Sequence, residues 1–238
     1  GLVSYGTALS GLHEETDGVV VRSGDGDEDR YDLVIGADGT RSRVRECLSL
    51  DYIGFDLRDS WSIADVEAEN WSNGNALTIT LVTDGRIVVV APLEAGRLRV
   101  ISNTEDALRT LPLPLDVSHI RQEALFKISV RQVSSYNVGR VFLAGDAAHC
   151  YSPAGGRGMN LGIADAADLA ARIIDNTLDR YSTARRLDGA TAIAVSERLR
   201  RIVTAKSRTA RVITRAAFST IDAISPLQQR LAKNLLDS

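Results

Sequence analysis

Asp146 closes an apolar run and is followed by a proline and a cluster of glycines. The stretch from Arg140 to Ala170 reads RVFLAGDAAHCYSPAGGRGMNLGIADAADLA. A short acid at the carboxyl end of a buried strand lies where open α/β sheets bind ligands, and it can accept hydrogen bonds from a sugar-like hydroxyl chain. Pro153 stiffens the turn beyond it, and Gly155, Gly156 and Gly158 permit close backbone approach or positive φ. A helix expected to begin near Gly158 aims its free amides, and the positive end of its dipole, at whatever the loop holds. Such a site suits a planar ring that carries or develops negative charge, with a polyhydroxy chain leading away. A reduced flavin answers that description.

The elements that must position this loop are legible as a mixture of strands and helices without repeats. LVSYGTALSGL, GVVVRS and YDLVIG read as strands, separated by the acidic turn GDGDED, and SRVREC reads as a short helix. From Tyr52 to about Val100 the runs SWSIADVEA, NALTITLV, RIVVVAPL and GRLRVIS alternate apolar and polar positions, which predicts an antiparallel sheet with one covered face. LPLPLDVSHIRQEAL predicts a helix after its prolines, and FKISVRQVSSY a returning strand. From Gly158 onward the pattern is helical. Near the end, Leu199, Ile202, Val203, Ile213, Ala216, Ala217 and Ile221 share an apolar face, with Arg201, Arg208, Arg211 and Arg215 largely opposite. That basic stripe reads as a solvated helix face.

Composition narrows the function classes. In 238 residues, 44% are hydrophobic and 25% charged, the balance of a globular protein with a real core. A formal charge of -3 gives no reason to expect nucleic acid or acidic membranes as partners. Cys47 and Cys150 show neither metal-type nor redox-type spacing, so a reducing, cytoplasmic setting is expected and no metal site. No apolar run approaches the roughly 18 residues of a membrane span. The chain opens on Gly1, and GLVSYGTALSGLHEE reads as a strand already inside a domain, so an N-terminal portion is expected upstream.

The Arg140–Ala170 segment resembles the second FAD motif of the single-component flavoprotein aromatic hydroxylases, the p-hydroxybenzoate hydroxylase group. The resemblance implies that Asp146 holds the ribityl chain and that Pro153 lies beside the isoalloxazine, with Gly156 also among the cofactor-binding residues. It assigns backbone groups at Gly158, Met159 and Asn160 to the pyrimidine edge. YDLVIGADGTRSRVRECL is similar to the family's middle motif, which places Asp38 and Gly39 near the FAD pyrophosphate and is linked to NAD(P)H use; Arg45 falls on its trailing arginine. LDRYSTARR resembles the following helix, with Ala184 for a usual Glu and Leu187 for a usual Pro. Asp168 stands where Asn is common, and Arg157 occupies a variable spot. The family's first motif, a Gly-x-Gly-x-x-Gly turn, does not occur in these residues and is expected upstream of residue 1.

The implied fold is mixed α/β, a partial Rossmann-like FAD-binding domain carrying an inserted antiparallel substrate sheet and C-terminal helices. The expected boundaries are 1–48 and 135–180 for the FAD-binding domain, 49–134 for the substrate sheet and 181–238 for a helical region. The implied activity is an NADH- or NADPH-using monooxygenase that hydroxylates an aromatic or polyketide-like molecule with dioxygen through a flavin hydroperoxide. Same-fold epoxidation, halogenation or reduction, or a fragment acting only by binding, are the alternatives. Most of the chemistry belongs to the cofactor, and no side chain has to be a nucleophile. Asp146 could instead cap the turn that follows, and Asp38 and Gly39 could form an ordinary turn. His149 reads as a structural hydrogen-bonder rather than a general base, Cys150 as small filler, and His13 and His119 as surface residues. Trp61 and Trp71 read as packing, with a substrate wall as the alternative for Trp61.

Overall fold

Valine at three successive positions makes Gly18–Ser23 a strand with little freedom to be anything else, because β-branched side chains fit a pleated surface better than a helix. The computed structural model describes residues 2–74, 76–82, 84–94, 96–152 and 158–205. They fall into two units, residues 1–55 with 129–197, and residues 56–128 with the described residues from 198.

In the first unit β1 (Leu9–Glu15), β2 (Gly18–Ser23) and β3 (Glu28–Tyr31) form an antiparallel sheet in that order. Residues 2–8, which the sequence also suggests as strand, lie outside β1. A second sheet joins the two motifs. In it β4 (Val34–Gly36) runs parallel to β11 (Val141–Leu143), with Gly36 opposite Leu143, and the short β10 (Asn137–Val138) pairs antiparallel on the far side of β11. Val141, Phe142 and Leu143 are all buried, as a strand covered on both faces requires.

Three helices follow from local signals. Ser42 caps α1 (Arg43–Cys47), its Oγ accepting from the Arg45 amide at 3.0 Å. The long helices α3 (Gly158–Asp175) and α4 (Tyr181–Val203) bury single stripes, Asp165 and Leu169 on the first and Tyr181, Arg185 and Gly189 on the second. Val44, Val133, Tyr136, Leu143, Ala147, Leu169 and Tyr181 share one core. Burying each of the larger apolar side chains contributes about 1.5–3 kcal/mol.

The second unit is built on antiparallel strands. In β5 (Tyr52–Glu69), β6 (Thr78–Leu81), β7 (Ile87–Glu94) and β8 (Arg97–Ser102), the order β5-β8-β7-β6 puts Ala64, Val66, Val88, Val90, Leu98 and Val100 in one core with Ala107 of the short α2 (Ala107–Thr110). Trp61 is buried against Phe126 with ring centroids 6.4 Å apart, and Trp71 is half-buried at the edge of the same unit's core.

One expectation fails here. DVSHIRQEAL is not helical: it opens β9 (Asp116–Val133), 18 residues of continuous strand that carries His119 exposed. Residues 118–125 bear mostly polar, helix-tolerant side chains, and strand pairing beside β5 overrides that propensity. The end of β9 pairs with β12 (His149–Cys150), His149 opposite Gln132 and Cys150 opposite Arg131. No described helix is long and apolar enough to cross a membrane. Most of the expected C-terminal apolar and basic stripe, from Arg208 on, lies outside the described residues.

Candidate functional site

The strand β11 delivers the chain into a tight turn, Gly145–Ala147, before β12 begins. Gly145 adopts φ +58°, a left-handed conformation that side chains with a Cβ resist. It also faces Gly162 of α3: a Cβ added at Gly162 would lie 3.3 Å from the Gly145 Cα. Paired glycines thus let the helix approach the turn backbone directly.

Four backbone polar groups around this turn are held by side chains from elsewhere in the first unit. The Tyr181 hydroxyl donates to the Leu143 carbonyl at 2.9 Å. The Gly145 amide donates to Asp165 Oδ2 at 2.9 Å. The Tyr52 hydroxyl donates to the Asp146 carbonyl at 2.9 Å, and Arg45 Nη1 to the Ala147 carbonyl at 3.0 Å. Arg45 spends its second nitrogen on the Thr40 carbonyl at 2.8 Å and lays its guanidinium over the Tyr52 ring, 3.9 Å from the centroid. The planar fork of Arg suits this triple use. Burial drives the Tyr52 hydroxyl far above the ordinary phenol range, so it stays a donor. Burial likewise pushes the Cys150 thiol up, against a smaller opposing contribution from its hydrogen bond with Tyr52, which agrees with a packing role for Cys150.

Asp146 is the exception within this clamp. Its carboxylate is exposed, caps no helix, and accepts no hydrogen bond from the described residues. Gly158 opens α3, with Met159 and Asn160 exposed in its first turn, where amides have no intrahelical acceptor. Pro153 and Gly156, with Gly155 and Arg157, lie outside the described residues.

At the middle motif Asp38 is already employed. Its Oδ2 accepts from the Arg43 amide at 2.7 Å and the Val44 amide at 3.1 Å, so it satisfies the start of α1. Partial burial pushes its carboxyl upward, and the bonds from the Ser42 hydroxyl and these amides outweigh that, leaving it below the usual carboxylate range. Gly39 adopts φ +81°, and nothing lies within 4 Å of where its Cβ would be.

Sequence reasoning missed the centre beneath the turn. Asp165 is fully buried; besides the Gly145 amide, its Oδ2 receives His149 Nε2 at 2.6 Å, and its Oδ1 receives Arg185 Nε at 2.7 Å. Burial raises the Asp165 carboxyl, but the bonds from His149, Gly145 and Arg185 hold it below its usual value. An ionised carboxylate only accepts, so the shared His149 proton belongs on Nε2. His149 is therefore a structural hydrogen-bonder, stacked on Tyr136 at 6.0 Å between centroids. Asp168 pairs with Arg172 one turn on at 2.7 Å, and His13 is exposed beside Glu15. Among the described residues no group of three or more His, Cys, Asp or Glu could hold a metal ion.

Residues 2–111 and 104–196 match the family model described as FAD binding domain. The chain belongs to the FAD-binding family of the single-component aromatic hydroxylases. Pentachlorophenol 4-monooxygenase of Sphingobium chlorophenolicum is 33% identical over 210 residues, covering 76% of this chain and 39% of that protein. The 6-methylpretetramide 4-monooxygenase of Streptomyces rimosus is 29% identical over 241 residues, covering 90% of this chain and 43% of the relative. Among solved structures, the Diels-Alderase PyrE3 of pyrroindomycin biosynthesis superposes with a TM-score of 0.79 at 25% identity, covering 96% of this chain and 55% of that one. The chain thus spans about two fifths of the length of the curated relatives it matches.

Membership in the FAD-binding family can be tested against the turn itself. A carboxylate that is exposed, unengaged by the described residues, and mounted on a backbone held from four directions is a suitable acceptor for the hydroxyls of a ribityl chain. The donor chemistry of the first turn of α3 suits a ring that gains negative charge on reduction. The residues present fit FAD.

Proposed function

We propose that the whole protein is an FAD-dependent, NADH- or NADPH-using monooxygenase that hydroxylates an aromatic or polyketide-like small molecule. The observation that carries this reading is the exposed Asp146 carboxylate, unbonded among the described residues, on its clamped turn, within a chain whose family relatives include named monooxygenases. In this reading Asp146 accepts the ribityl hydroxyls. The amides of Gly158, Met159 and Asn160 meet the pyrimidine edge and Pro153 lies by the ring, as the family resemblance assigns them, with Gly156 counted among the cofactor-binding residues. Asp38 is occupied with α1, so it acts by shaping the turn, and the open backbone at Gly39 is what remains to face the pyrophosphate.

When bound, FAD would supply the redox chemistry, taking two electrons from the nicotinamide and passing them to dioxygen so that one oxygen atom reaches the substrate and the other leaves as water. This chain's task is to bind, orient and exclude water. We assign the strands between residues 49 and 134 to the substrate, and name no side chain as a nucleophile. A cytoplasmic setting suits the free thiols of Cys47 and Cys150.

The likeness to a Diels-Alderase favours a second reading in which the same FAD-binding frame promotes ring closure with no net oxidation. One experiment separates the two. The full-length protein is purified and its flavin absorbance recorded; it is then supplied with NADH or NADPH, dioxygen and a panel of phenols and polyketide aromatics. Nicotinamide oxidation with a product one oxygen atom heavier supports the monooxygenase. A product isomeric with its substrate, formed without nicotinamide, supports ring closure, and a full-length protein that binds no flavin overturns both.

A further inference from the structure

We infer that Asp165 is a positioning residue for the cofactor: held by His149 and Arg185, its buried carboxylate fixes the Gly145 amide and so sets the direction of the Asp146 side chain. The inference rests on the reading that Asp146 holds FAD.

Three contacts meet at this one group. Oδ2 accepts from the Gly145 amide at 2.9 Å and from His149 Nε2 at 2.6 Å, and Oδ1 accepts from Arg185 Nε at 2.7 Å. Arg185 is anchored at its other end by Asp188 Oδ2 at 2.7 Å. Asp165 is 0% exposed, His149 1% and Arg185 7%, so no solvent competes for these bonds. His149 starts the strand that follows the turn and Gly145 opens it, so a single carboxylate grips both sides of Asp146.

Stability alone is a poor reason for this arrangement. Taking a carboxylate and a guanidinium out of water costs much of what their attraction returns, and an apolar replacement of similar volume is often no less stable. What an ionised buried acceptor does well is orient donors, because charge-assisted bonds are short and directional. Gly145 needs that control, since at φ +58° it is a residue with unusual conformational freedom. Pairing in the network is incomplete: among the described residues His149 Nδ1 and Arg185 Nη2 are buried without a hydrogen-bond partner.

The test uses the full-length protein and FAD. Asp165→Asn keeps the shape but turns an amide donor toward His149 or Arg185, and the expected result is FAD affinity about tenfold weaker with the fold retained by circular dichroism. In an Asp146→Ala background the same substitution is expected to change FAD affinity less than about twofold, because Asp165 acts through Asp146. An equal loss in both backgrounds would mean a general structural role and overturns the inference. Exchange of the Gly145 amide in FAD-free protein is read in parallel: it is expected to quicken about tenfold or more in Asp165→Asn, and an unchanged rate also overturns the inference. Should Asp165→Asn not fold, Arg185→Lys, which keeps the charge and a donor, takes its place in both measurements with the same two criteria. If Asp146→Ala alone leaves FAD affinity unchanged, the reading of Asp146 fails, while the Gly145 exchange rate still decides whether Asp165 holds the turn.

Discussion

Arg45 and Ala147 lie 102 residues apart in the chain, and the guanidinium of the first donates to the carbonyl of the second at 3.0 Å. This bond locks the middle motif to the turn that carries Asp146. The same side chain also serves the Thr40 carbonyl and covers the Tyr52 ring. Arg45→Ala leaves two carbonyls without their donor, one of them buried, and removes a cation–π contact. A loss of about 2–4 kcal/mol is expected, read as a lower denaturant midpoint with an unchanged slope. Arg45→Lys recovers only part of it, because a single ammonium cannot reproduce the fork.

Asp146→Ala should behave in the opposite way. The carboxylate is exposed and bonded to nothing among the described residues, so unfolding stability is expected to stay within about 0.5 kcal/mol of the parent. FAD retention should nevertheless fall at least about tenfold, as expected when a charged hydrogen-bond acceptor is lost from a binding site. The ratio of flavin to protein absorbance after gel filtration of the full-length protein measures this. Unchanged flavin content would remove Asp146 from the site.

Gly36 is required for space rather than for backbone freedom. A Cβ there would lie 2.7 Å from Val44 Cβ and 2.8 Å from Leu143 Cδ2, in the wedge between β4, β11 and α1. Gly36→Ala therefore overpacks the core, and a destabilisation of about 1–3 kcal/mol is expected. Pairing it with Val44→Ala removes the equally close contact to Val44 Cγ1 at 2.7 Å, while the contact to Cβ stays. A thermal unfolding series on the two single variants and the double variant should show the double more stable than the sum of the singles predicts.

Much of this architecture was legible in the chain because local and global preferences agree. The valines of β2, the alternation in β7 and β8, and the Ser-capped α1 all fold as their residues suggest. The first half of β9 does not, since residues 118–125 present exposed side chains with no alternating apolar signal, and only pairing with a neighbour makes them strand. The strand and turn carrying Asp146 were readable from their residues, and the loop's candidacy as a site came from its glycines and its resemblance to a known motif. The Asp165 centre was not, because its partners come from β12 and α4 and no sequence spacing joins them. A faint signal existed: Asp165 sits four residues from both Leu161 and Leu169, and Arg185 four from both Tyr181 and Gly189. Each is a charge on the buried stripe of its helix, a placement that demands a partner.

The two depressed carboxyls fix how this part of the protein meets acid. Asp38 and Asp165 are both held below the unfolded value of 3.8. A carboxyl with a lowered folded pKa contributes stability that is fully present above the unfolded value and is lost as pH falls through the folded one. Stability is therefore expected to be flat from neutral pH toward about 5 and to fall steeply below 3.8, as protons enter Asp38 at the start of α1 and Asp165 beneath the turn. Asp165→Asn should lower stability at neutral pH by about 3 kcal/mol, because the buried Arg185 then keeps only the exposed Asp188 carboxylate as its ion-pair partner. It should also flatten the acid limb, since one of its titrating groups is gone. Asp38→Asn retains an oxygen for the α1 amides, so its effect at neutral pH is expected to be smaller while the acid limb is again shallower. Urea midpoints measured across this range for the three proteins would expose an error: an acid limb equally steep in Asp165→Asn would show that its protonation does not govern acid unfolding.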